Sequence, residues 1–135
     1  MLNIMIQLFG GRGASSGISD KGVRYGQEYR SVLEYGNIKF VKRNTGNTTA
    51  PLETMTRGRV YATIDAHDNV KYVSYYDNEN KRSKTIDLGH KHNGLDPHVH
   101  HGYEHNENDG PSGAARLTPQ EKKLLDKILK VWQNR

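Results

Sequence analysis

With 135 residues, 33% of them hydrophobic, and a mean hydropathy of −0.89, the chain reads as one domain with a small core. It has no cysteine, which excludes a disulfide framework, a thiolate metal site and a thiol nucleophile. A net charge of +5 and a pI near 9.4 favour a polyanionic partner, nucleic acid before a membrane surface.

Met1 to Phe9 is apolar, but it lacks the basic start and small-residue cleavage site of a signal peptide. It is also short of the ~20 apolar residues that a membrane span needs. Gly10-Gly-Arg-Gly-Ala-Ser-Ser-Gly17 follows, too poor in apolar side chains to order itself and without the lysine of a phosphate-binding P-loop. Residues 1–22 are therefore expected to form a flexible leader and residues 23–135 a single α+β domain. Tyr25 to Glu34 suggests a loose turn of helix leading into the first strand.

Asn37 to Lys42 alternates β-branched or aromatic residues with polar ones and predicts a strand. Asn44 to Thr56, rich in Thr and Asn, predicts a long loop of the kind that often carries function. The next strand, Arg57 to Ile64, places Val60, Ala62 and Ile64 on one face and Arg59, Tyr61 and Thr63 on the other. Turn-forming Asp65 to Asn69 joins it to Val70–Tyr76, and Asp77 to Asn80 leads on to Ser83–Leu88. Gly89 marks a bulge that would turn His90 and His92 away from the core face of Ile86 and Leu88. A further strand, His98 to Tyr103, then lies alongside, and Asn106 to Ala115 is a polar loop. Thr118-Pro-Gln-Glu121 is a capping box with proline at the first helical position. It opens a helix over 119–134 whose stripe of Leu124, Leu125, Ile128, Leu129 and Trp132 covers the sheet. Lys122, Lys123, Lys127 and Lys130 take its solvated side. The expected architecture is an antiparallel meander of four to five strands with a packed C-terminal helix.

Six of the seven histidines fall between residues 85 and 105. His90-x-His92 and His98-x-His100 each point two imidazoles to one side of a strand, with Val99 turned to the core. Imidazole exchanges protons near neutrality and is the commonest transition-metal ligand. In one reading, His90, His92, His98 and His100 supply base and acid for metal-free transphosphorylation of RNA through its own 2′-OH. Arg57, Arg59, Lys71, Lys84 and Lys91 are the candidate phosphate contacts, and Tyr103, with Tyr61, Tyr72, Tyr75 and Tyr76, could stack bases. In another, His98, His100 and Glu104 hold a divalent transition metal, in spacing near that of cupin barrels, although the chain lacks the later strands of a cupin. A third is a phage structural or nucleic-acid-binding accessory role without catalysis.

Asp87-Leu-Gly-His90-Lys-His92-Asn-Gly94, with Pro97-His98-Val-His100 after it and the Leu117-Thr-Pro-x-Glu121 helix start, resembles the bacterial type 24 polymorphic toxin domain over roughly residues 35 to 135. Phe9 to Gly17 is similar to the tail that joins phage minor head proteins to toxin-like modules. Domains of the toxin type are grouped with the barnase, EndoU, colicin and RelE-like ribonucleases. The resemblance implies a helix packed on an antiparallel sheet, a ribonuclease without a cofactor, and the four histidines above as site residues. It also implies an RNA substrate, an immunity partner, and a location in a bacterial cytoplasm or a phage particle; the short apolar N-terminal stretch adds the expectation of no membrane partner.

Overall fold

A computed structural model describes residues 27–89, 96–103 and 114–135. The expected leader lies outside these residues, as do His90, Lys91, His92, Glu104 and His105. Within them the fold is α+β: a six-stranded sheet and one helix. The strands are β1 (Tyr29–Tyr35), β2 (Ile38–Arg43), β3 (Val60–Ile64), β4 (Val70–Tyr76), β5 (Arg82–Asp87) and β6 (His98–His101), and α1 spans Pro119–Gln133. Their order across the sheet is their order in the chain.

Two features depart from a simple meander. Residues 29–35 form an edge strand antiparallel to β2 rather than a turn of helix, joined to it by a tight turn in which Gly36 has φ +60°. The β-forming Tyr29, Val32 and Tyr35 suit that pairing, and a bulge between Ser31 and Leu33 adjusts the register. The second departure is between β2 and β3, which pair in parallel while every other neighbouring pair is antiparallel. A parallel pair needs a crossover, so the loop from 44 to 59 must pass across the sheet before β3 can begin. It is tied down as a strap: the Tyr76 hydroxyl donates to Pro51 O at 2.7 Å, and the Arg82 guanidinium donates to Ala50 O. The Tyr61 hydroxyl meets Thr54 Oγ1 at 3.0 Å.

The opposite face of the sheet carries the core. Ile38 and Phe40 of β2, Ala62 and Ile64 of β3, Val70 and Val73 of β4, Ile86 and Val99 pack under Leu125, Ile128 and Trp132 of α1. Trp132 stacks on Phe40 with centroids 5.3 Å apart and donates its indole N–H to Asp68 O. The capping box forms as the sequence predicts: Glu121 N donates to Thr118 Oγ1, and Thr118 N donates to the Glu121 carboxylate. The turns at Asp65 and Asp77 repeat one device, in which the aspartate side chain accepts from backbone N–H groups two and four residues on. No described helix is long and apolar enough to cross a membrane.

Candidate metal and catalytic centre

The β5–β6 ladder pairs Asp87 with His98, Ile86 with Val99 and Thr85 with His100. Alternation then decides which side chains meet. Ile86 and Val99 enter the core, so Asp87, His98, Thr85 and His100 must share the other face, away from α1. A one-residue slip in this register would put the histidines into the hydrophobic core instead.

On that face three atoms converge. Asp87 Oδ2 lies 3.3 Å from His98 Nε2 and 3.2 Å from His100 Nε2, and the two Nε2 atoms are 3.1 Å apart. The imidazole rings meet nearly at right angles, at 87°. All three residues are buried: His98 is 0% exposed, Asp87 5% and His100 9%. The other carboxylate oxygen, Asp87 Oδ1, is buried without a hydrogen-bond partner, and so is the neighbouring Thr85 hydroxyl. Beside them Tyr72 is paired with Asp87 across the β4–β5 ladder. Burial, and then the Asp87 charge, push the Tyr72 hydroxyl above its usual 10.0, against a smaller pull from Arg82, so this phenol stays protonated at neutral pH.

This geometry bears on the acid–base expectation. An acid and a base on opposite sides of one phosphate each need a hydrogen bond of about 2.8 Å, which holds their nitrogens roughly 6 Å apart. His98 and His100 touch one another, so they form one centre with Asp87 rather than the two sides of a cleft. His90 and His92, the other expected pair, lie outside the described residues. Among the described residues Asp87, His98 and His100 form the group of histidines and carboxylates whose donor atoms stand close enough together to hold a metal ion.

The expected cationic contacts scatter. Lys84 shares its side of β5 with Ile86, so it points to α1, where it pairs with Glu121 at 2.5 Å over the Tyr75 ring. It is on the wrong side of the sheet for a ligand at the histidines. Arg57 donates to Asn78 O in the β4–β5 turn, and Arg59 pairs with Glu34 at 3.2 Å. Lys71 alone of the described candidates sits at the Asp87 end, donating to Leu88 O at 2.9 Å beside Gly89, whose φ is +89°. Tyr61 and Tyr76 are held under the strap, while the Tyr103 carbonyl accepts from the Arg82 guanidinium at 2.6 Å. Lys91 and Glu104 lie outside the described residues.

Two residues that spacing alone gives no role enter the site or its support. Asp87 is brought to the histidines by a cross-strand pairing; what marks it in the sequence is alternation, which turns it away from Ile86. Arg82 is buried and ties the strap to Tyr103, two residues beyond the end of β6. Compared with models of known protein families, with curated proteins and with solved structures, the chain finds no match.

Proposed function

We propose that the chain is a phosphodiesterase acting on RNA, with Asp87, His98 and His100 as its catalytic centre. The observation that carries this reading is the convergence of a carboxylate and two imidazoles, all buried, on one face of the β5–β6 ladder. A protein keeps such groups together at a cost, since burying polar groups away from water is unfavourable unless their bonds are replaced. The net charge of +5 supports a polyanionic substrate, and the resemblance of the Asp87–His100 segment to ribonuclease toxins supports RNA.

RNA carries its own nucleophile, so the centre has to take up the 2′-OH proton as the 2′-oxygen bonds to phosphorus, return a proton to the 5′-oxygen as its bond to phosphorus breaks, and steady the charge that builds on the phosphate oxygens. His100 is the imidazole of the pair that reaches the surface, while His98 is wholly enclosed. Asp87 fixes the orientation of both rings and stabilises an imidazolium once one forms.

Incubating the protein with single-stranded RNA and with DNA of the same sequence tests the reading. The expected result is RNA cut to 2′,3′-cyclic ends and DNA left whole, with His100→Ala lowering the rate by about 10²-fold or more. Cleavage of both polymers would assign the attack to water and keep the phosphodiesterase while removing the 2′-OH step. RNA bound but intact would leave a binding role and overturn the enzyme.

A further inference from the structure

We infer that Asp87, His98 and His100 form a site for one divalent transition metal ion of the zinc class. A zinc ion with four ligands at about 2.0–2.1 Å holds its donor atoms roughly 3.3 Å apart. The three edges of the Oδ2–Nε2–Nε2 triangle measure 3.1, 3.2 and 3.3 Å. By these distances a point just off the plane of this triangle lies within zinc-bonding distance of all three atoms. Among the described residues no fourth donor joins these three, which leaves a position for water or a phosphate oxygen, as in catalytic zinc sites.

A second observation points the same way. Asp87 Oδ1 is buried with no hydrogen-bond partner, on a residue 5% exposed. A carboxylate in that position needs a positive charge beside it, because an uncompensated buried charge is strongly unfavourable. A divalent ion supplies that charge and gives the spare oxygen a second ligand position. Two imidazole nitrogens and one carboxylate suit zinc, iron, cobalt or nickel; calcium and magnesium prefer sets made of oxygen. Asp87 of β5 is a donor that the set expected from spacing does not contain, while Glu104 of that set lies outside the described residues.

The inference stands on the donor atoms and is independent of substrate. Metal-stripped protein titrated with Zn2+ against a chromophoric chelator is expected to take up one equivalent tightly. Co2+ in its place should give the intense visible absorption of a low-coordinate cobalt site. Asp87→Asn keeps the shape of the side chain and should weaken Zn2+ binding by more than the ~10–100-fold typical of losing an outer-shell partner. His100→Ala should do the same, and His67→Ala, in the exposed β3–β4 turn, should change nothing. Because a ligand variant can misfold, melting of the unaltered protein is followed too, and Zn2+ is expected to raise its Tm. Tight uptake that survives Asp87→Asn and His100→Ala, or no uptake with no change in Tm, overturns the site. Zn2+ uptake without RNA cleavage would retire the phosphodiesterase and keep the metal; cleavage by metal-stripped protein in chelator, with no Zn2+ uptake, would do the reverse.

Discussion

The two faces of the β5–β6 ladder differ by one residue of register and by almost everything else. On the α1 side, Ile86 and Val99 belong to the apolar cluster that Leu125, Ile128 and Trp132 close over. On the other side the same six backbone positions present Thr85, Asp87, His98 and His100, crowded and only partly satisfied. The first face stores stability and the second spends it. Because alternation couples them, the apolar face also aims the polar one: with Ile86 and Val99 turned to the core, Asp87, His98 and His100 must share the opposite face, and the observed register sets Asp87 opposite His98.

The largest expected effect comes from opening the apolar face. Ile86→Ala or Leu125→Ala removes a buried aliphatic side chain, which costs about 2–5 kcal/mol. In a domain of this size each kcal/mol lowers Tm by roughly 4–8 °C. Either variant should show the loss in thermal and urea melts, and Ile86→Ala should reduce Zn2+ affinity as well, since it loosens the ladder that holds the donors. A melt unchanged by Leu125→Ala would mean that the α1 stripe is not what closes the core.

On the polar face the opposite sign is expected. Metal-free Asp87→Asn should be at least as stable as the unaltered protein, because a neutral amide replaces a buried carboxylate with an unpartnered oxygen. Urea melts of both proteins in chelator compare them directly. A clear destabilisation would show that the carboxylate is already satisfied without an ion.

How much of this contrast can be read from residues alone follows from its range. The apolar face is legible, because period-2 alternation through Ile86 and Val99 and the 3.6-residue stripe of α1 are local signals. The capping box at Thr118 is equally local. The parallel pairing of β2 with β3 is not legible: alternation carries no direction, and a loop rich in Thr and Asn does not announce that it crosses a sheet. The edge strand β1 is decided by its partner β2 rather than by its own composition. Asp87 falls between these cases. Its side of β5 is readable from Ile86, but its meeting with His98 is set by register between segments eleven residues apart. Lys84 is the instructive failure, since alternation with Ile86 already places it on the helix side.

That helix-side placement yields a pH prediction. Burial alone would raise the Glu121 carboxyl, but its bonds with Lys84 and Thr118 outweigh burial and hold it below its ordinary value of 4.5. A carboxyl depressed by folding contributes stability that is fully present above its unfolded value and lost as pH falls through its folded one. Stability should therefore hold down to about pH 4.5 and decline below it. Glu121→Gln should flatten that decline and, by weakening the capping box, cost on the order of 1 kcal/mol at neutral pH. An acid limb identical in the two proteins would remove Glu121 from the account.

The smallest effects sharpen the comparison along the sheet rather than across it. Lys71 and Arg57 are both cations on or beside central strands, and composition treats them alike. Lys71 holds Leu88 O, one residue beyond Asp87, and braces the turn at Gly89 where the chain leaves β5. Arg57 instead donates to Asn78 O in an exposed turn, at the strap end of the sheet. Lys71→Ala should lower RNA cleavage several-fold, because both a nearby positive charge and a tie on the ladder's end are lost. Arg57→Ala should leave cleavage unchanged and stability within about 0.5 kcal/mol, as surface substitutions away from special features do. Rates measured for both at two salt concentrations separate the local from the diffuse contribution, since a phosphate contact also shows in the salt slope. If Arg57→Ala cuts the rate and Lys71→Ala does not, the substrate lies along the strap, and the centre at Asp87 is not where RNA is cleaved.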